Sequence, residues 1–203
     1  VNRPLPPEHL REPGYALEPS LELAAWAKST FIDEAGPLSN PDHKHLRTVD
    51  LAVVFTNVEY EDGGMPVAGM AEIVNANGKP WARAERVDHL CLMHGNIPQA
   101  RVWLFAPFWE TCDDASACAL IEHELYHFAH KKNKEREEMY DDEDRPVLTK
   151  RAHDVGEFIP VARRYGLNAV HQNVALLVAA AQSTPLIEPA QIAVACGSCG
   201  SHL

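Results

Sequence analysis

Within residues 119–128 of this chain, His123 and His127 stand four positions apart, and Glu124 follows the first of them directly. On a helix, residues four apart share a face, so both imidazoles leave the same side. Ala119, Leu120, Ile121, Leu125 and Phe128 give the segment an apolar side, which requires the helix to be buried against something. Asp113 and Asp114 offer an N-cap just upstream. The apolar run 102–105 precedes them and reads as a strand for the helix to pack on. A surface helix that happens to carry two histidines has no use for these three features.

The pattern His-Glu-x-x-His carries chemistry as well as a fold constraint. Two ring nitrogens at this spacing reach one Zn²⁺ at about 2.0–2.1 Å. Glu124 is then placed to manage the protons of a metal-activated water. His123 and His127 are the candidate metal ligands, Glu124 the candidate catalytic carboxylate, and Zn²⁺ the expected cofactor.

A length of 203 residues suits one domain with a small appendage. The net charge of −11 argues against a broad electrostatic grip on nucleic acid. The longest apolar run, 174–181, is far too short to span a bilayer, so no membrane partner is expected. Five cysteines, at 91, 112, 118, 196 and 199, make a poor disulfide framework and suit a reduced, cytoplasmic protein. Arg3-Pro4-Leu5-Pro6-Pro7 reads as an extended lead-in and not as a signal segment.

Three segments follow from the punctuation: a lead-in over 1–19, a main domain over 20–182, and a tail over 183–203. Ser20 caps a helix running to about residue 33, stopped by Gly36-Pro37. Strands are expected over 49–55, 67–74 (weakened by Gly69) and 100–105. The motif helix should span about 115–131. The charged run 131–144 reads as a solvated helix end followed by a loop, with a substrate-facing rim or lid as the alternative. Thr149 caps a helix over 150–165 and Asn168 another to about 182, before a strand-like stretch at 191–195.

A catalytic zinc takes three protein ligands and leaves a fourth position open. His130 lies a full helical turn beyond His127 and should face solvent at the helix end. Glycine at 130 and histidine at 133 would mark the longer zincin pattern, but His130 and Asn133 stand there. His153 is the favoured third ligand, with Glu157 and Asp154 as alternatives; Asp154 could instead accept from an imidazole N–H. Candidate oxyanion donors are Tyr165 and Tyr140, with Tyr126 weaker because it lies about 100° around the helix from His127. At the C-terminus, Cys196 and Cys199 form half a zinc knuckle. Cys91 and His94 have the same gap and would complete a second, structural zinc site, with His202 or Cys112 and Cys118 as other partners. Two free thiols on a frayed tail are the simpler reading.

His123, Glu124, Leu125 and His127, followed one loop later by His153-Asp154 and Phe158, make the chain resemble the SprT-like and Spartan-type zincins. It is closer still to the phage metallopeptidases, a domain of phage and prophage genomes, whose helix end matches Arg164-Tyr165-Gly166. The resemblance covers about 49–166. It implies an α+β zincin-like fold, with a small mixed sheet of about three to four strands packed on the active-site helix and further helices. It also implies that His153 is the third zinc histidine, brought by a second helix, and that substrate lies along the sheet's edge strand. The SprT-like relatives often add a four-cysteine ribbon; this chain ends instead on one Cys-x-x-Cys.

The function expected is zinc-dependent peptide hydrolysis on a protein or peptide substrate, in the host cytoplasm if phage-encoded. Two rivals stand beside it: a non-catalytic, zinc-stabilised binding protein, and a zinc hydrolase of a non-peptide amide. A purely structural zinc site has no need of Glu124 and usually takes four protein ligands.

Overall fold

The structure is a computed structural model, and it describes residues 2–62, 64–75, 77–153, 172–185 and 195–196. The chain divides into two units, 1–151 with 190–203, and 152–189. In the second, the regular element described is a helix, Gln172–Gln182.

The first unit is an α+β arrangement around a mixed sheet. Strands β1 (Leu17–Pro19), β2 (Leu51–Thr56), β3 (Glu61–Asp62), β4 (Met65–Ile73), β5 (Ala100–Phe105) and a short β8 (Ala195–Cys196) build it. Their order is β1-β2-β5-β4-β3, with β8 pairing β4. β2 and β5 are parallel, while β4 runs antiparallel to β5 with Gly69 opposite Leu104. The sheet therefore has six strands, more than the three to four expected, because short pieces at 17–19, 61–62 and 195–196 extend both sides.

Helix α1 (Leu21–Ala27) starts where Ser20 accepts from the backbone N–H of Leu23, and runs on through a π-helical turn, Lys28–Ile32. Its last turns bury Ala27, Phe31 and Ile32 in the core beside Val53, Phe55 and Leu104. Trp109, on α3 (Ala106–Thr111), is fully buried and donates from its indole N–H to the Pro4 carbonyl. Arg3 bonds the Trp109 and Cys112 carbonyls, so the proline-rich lead-in is tied to the main body. Helix α2 (Pro80–His94) has no counterpart in the sequence expectations: its hydrophobic positions are sparse and only Leu90 is buried, so no apolar stripe announced it. Among the described residues, no helix is long and apolar enough to cross a membrane.

The motif helix, α4, spans Asp114–Tyr126. Asp113 caps it, accepting from the Ser116 N–H at 2.7 Å, as the sequence predicts. Its buried face carries Ala117, Leu120, Ile121, Glu124 and Leu125, a helical spacing that packs on β4. The helix stops five residues earlier than expected. His127 is its C-cap, and Phe128 enters β6 (Phe128–His130), which pairs antiparallel with β7 (Leu148–Lys150). The charged run between them is a folded arm and not a helix end: bridges join Lys132 to Glu138 and Tyr140 to Pro146. Asp141 turns its tip by accepting from the Glu143 and Arg145 N–H groups and from the Arg145 guanidinium. The expected helix over 150–165 does not begin at 150, which lies in β7; residues 154–171 are outside those described.

A 3-10 turn, Pro41–Leu46, clamps the outer side of α4. Asn40 donates to Glu122 at 2.7 Å and to the Tyr126 hydroxyl at 2.8 Å, and Tyr126 donates on to Asp42 at 3.1 Å. His43 sits beneath them, 1% exposed, with its ring edge-on to Tyr126 at 4.7 Å. Burial, helped by His45 and Arg151 and opposed by Asp42, lowers its pKa from 6.5 to about 4. It is therefore neutral near pH 7, and its 3.9 Å approach to Glu122 is not an ion pair.

A depressed histidine pKa makes the folded state refuse a proton that the unfolded chain accepts. Above about pH 6.5 its contribution to stability is fully present; as pH falls toward about 4 it is lost, by about 3 kcal/mol in all. Denaturant unfolding at stepped pH values checks this: His43→Gln should flatten the slope between pH 6.5 and 4, and an unchanged slope would assign the acid sensitivity elsewhere.

Candidate metal centre

The donor atoms of His123, His127 and His153 all lie within 4.8 Å of one another, a group able to hold a metal ion. The first two come from α4 and its C-cap, and their rings stand 5.1 Å apart at 77°. His127 is 3% exposed, while His123 is half-buried and His153 is exposed. His153 follows the short stretch that leaves β7, not the start of a helix at 150.

The arm meets the second ligand directly. After β6 and β7 have paired, Arg151 meets His127 twice: the Arg151 N–H donates to the His127 carbonyl at 3.0 Å, and His127 Nδ1 lies 2.7 Å from the Arg151 carbonyl. A carbonyl only accepts, so Nδ1 must carry the proton and Nε2 the lone pair. This is the usual way of setting a ligating imidazole's tautomer. The arm therefore orients His127.

Glu124 is fully buried and packs against β4 at Gly69. A Cβ at position 69 would sit 3.0 Å from Glu124 Oε1, 3.0 Å from Leu120 Cδ1 and 3.3 Å from Glu124 Cγ. Gly69 is thus the gap in the sheet that admits the carboxylate. The sequence reading treated this glycine only as a weakness in a strand. A glycine inside a strand pattern also signals close approach of a neighbour, and that was the available clue. No comparable sequence signal marks Arg151, which acts through its main chain.

The remaining candidates are not brought to this group. His130 is not a solvent-facing helix-end residue: it lies in β6 with its side chain 7% exposed, and its Nε2 donates to the Met139 carbonyl at 2.8 Å. The strand pairing that ends the helix turns it inward. The Tyr140 ring packs against His130 at 4.8 Å and its hydroxyl donates to Glu138. The Tyr126 hydroxyl is engaged by Asn40 and Asp42; burial is the main reason its pKa is raised. Asp154, Glu157, Phe158 and Tyr165 lie outside the described residues, as do Cys199 and His202. Cys91 and His94 lie on α2, where Cys91 is exposed and burial lowers the His94 pKa. Among the described residues, neither joins a group of three ligating side chains. The backbone of Cys196 is in β8, opposite Gly69.

Gly69→Ala sets two effects against each other. An alanine in a strand gains about 0.5–1 kcal/mol of backbone entropy over glycine, whereas overpacking a filled site costs about 1–3 kcal/mol. Leu120 and Glu124 are both on the buried face, so overpacking should win by about 1 kcal/mol. Thermal unfolding reads the sign directly; a stabilised variant would show that the carboxylate moves aside freely.

A family model described as "Putative phage metallopeptidase" matches residues 24–182. No curated protein and no solved structure matches the chain.

Proposed function

We propose that this chain, which belongs to the phage metallopeptidase family, is a zinc-dependent peptidase of the minimal zincin type, with Glu124 as its general base. The observation that carries the reading is the meeting of three imidazoles, with the fully buried Glu124 next in sequence to the first of them. A metal-binding role alone would not need the carboxylate.

His123, His127 and His153 would hold the ion. Three neutral imidazoles suit zinc, and a tetrahedral site with bonds of about 2.0–2.1 Å spaces neighbouring donors about 3.4 Å apart. Donor atoms within 4.8 Å of one another need only small side-chain rotations to close on one centre. Bound zinc supplies a Lewis acid that brings the pKa of water toward about 7 and polarises a carbonyl. The contact of His127 Nδ1 with the Arg151 carbonyl keeps the proton there, which leaves Nε2 as the nitrogen that would hold a metal. Glu124 takes a proton from the attacking water at a carboxylate oxygen and passes it to the leaving amine. Gly69 gives the carboxylate room at the sheet. For the oxyanion, Tyr165 remains the proposed donor, since the Tyr140 hydroxyl is engaged by Glu138. A structural zinc on Cys196, Cys199, Cys91 and His94 remains a proposal of the tail's composition.

Zinc content and cleavage of an unfolded protein substrate, measured together, test the reading. Wild type should hold one zinc at this centre and cleave. Glu124→Gln should keep the zinc and lose about 10²–10⁴-fold in rate. One bound zinc with no Glu124-dependent cleavage of any substrate would instead make the chain a zinc-stabilised binding protein.

His153→Ala should release the zinc of this centre, read by elemental analysis after dialysis. Full retention would promote Glu157 or Asp154 to third ligand.

A further inference from the structure

At Gly69, β4 is paired along both of its edges, and one partner comes from the far end of the chain. Gly69 is opposite Leu104 of β5 and also opposite Cys196 of β8, so these two strands flank it from opposite sides. On the β8 side, β3 takes Met65 and Pro66, and β8 takes the next stretch at Val67 and Gly69. The same stretch meets the motif helix: α4 packs on β4, and a Cβ at Gly69 would lie 3.0 Å from Glu124 Oε1. Neighbouring strands lie about 4.8 Å apart. The main chain at Cys196 therefore runs one strand spacing from the residue that makes room for Glu124.

Two features mark β8 as a strand that can be displaced. It is two residues long, Ala195–Cys196, shorter than the usual minimum of about three. It also runs parallel to β4, the weaker pairing per residue, with a register irregularity between Val67 and Gly69. A strand edge of N–H and C=O groups holds one partner at a time. We propose that β8 is a built-in competitor for the edge of β4 beside Glu124, docked there until an extended polypeptide displaces it. The competition stands on the strand pairing alone; that it restrains cleavage rests on the peptidase reading. The ligand class is an unfolded or extended chain, because main-chain hydrogen bonds supply the affinity on such an edge. A docked tail lowers apparent affinity by the fraction of molecules whose edge is open and leaves the later chemistry alone. It acts on KM and not on kcat.

The test uses the full zinc-loaded chain in its Glu124→Gln form, with fluorescein-labelled casein as an unfolded probe read by anisotropy. Adjacent residues of a strand direct their N–H groups to opposite sides, so Ala195→Pro/Cys196→Pro removes whichever one faces β4. Casein should bind this variant about tenfold more tightly, as when a docked state favoured about ten to one is abolished. The amides of residues 67–70 should exchange faster in the same variant. Ala195→Val, which keeps its N–H, should match the parent. A synthetic peptide of residues 190–197 carrying Cys196→Ser should compete with casein on the proline variant, which assigns the effect to strand pairing and not to a thiol. With Glu124 restored, the proline variant should lower KM about tenfold at unchanged kcat. Unchanged casein affinity, unchanged amide exchange, or a peptide that does not compete would each overturn the proposal. Tighter casein binding in a protein that cleaves nothing with Glu124 in place would uphold the competition and remove the peptidase reading.

Discussion

The pair of hydrogen bonds between His127 and Arg151 is the constraint on which the candidate centre depends. Metal ligands on one helix are easy to specify, because a spacing of four does it. A third ligand from elsewhere in the chain is harder, since its position depends on every residue between. Here the intervening chain is an antiparallel arm that leaves at Phe128 and returns at Lys150, so its two ends are brought together by strand pairing. Closing that loop costs entropy that rises only slowly with length. The turns at Asn133–Glu137 and Asp141–Arg145 offset part of it by satisfying backbone groups locally. The arm's charge therefore has a structural use: its acidic and amide side chains accept the N–H groups that a tightly turning backbone would otherwise leave exposed.

The same helix meets two opposite demands. Its inner face must be apolar enough to bury Leu120, Ile121 and Leu125, yet Glu124 lies on that face and is fully buried. Burying a carboxylate costs several kcal/mol unless its surroundings are arranged for it. The fold makes room by removing a side chain from the sheet at Gly69. On the outer side, Asn40, Asp42 and His43 fasten Glu122 and Tyr126, so the helix is held from both sides around its ligating residues. A site fixed in this way loses little entropy on binding an ion or a substrate.

Legibility in the sequence tracked how local each feature is. The Asp113 cap, the strand at 100–105, the buried face of α4 and the two ligands on it depend on residues within a turn or two of one another, and all could be read. His153 was reachable only because two ligands demanded a third and a family pattern offered one. The end of α4 was missed because nothing in residues 127–131 forbids a helix; pairing with 148–150, twenty residues away, overrides their propensity. Helix α2 was missed for the converse reason: it buries little, so periodicity had nothing to display. Gly69 reads locally as a break in a strand, because its partner Glu124 lies 55 positions away.

The arm and the 3-10 turn bring charges of both signs to one cavity. The turn contributes Lys44 and His45, the arm His130 and Lys132, and the return strand Arg151. None of these is near another in sequence except within its own element, so no charge run marks the patch, and the acidic residues of 137–144 obscure it in composition. Arg145 pairs with Asp141 and Glu143 at the arm's tip, whereas Asp42 and Glu138 line the cavity and keep their charge while accepting from tyrosine hydroxyls. Carboxylates and cations therefore share one wall, within the screening length of about 8–10 Å at ordinary salt. The arm that meets His127 thus also carries charges of both signs into the neighbouring cavity.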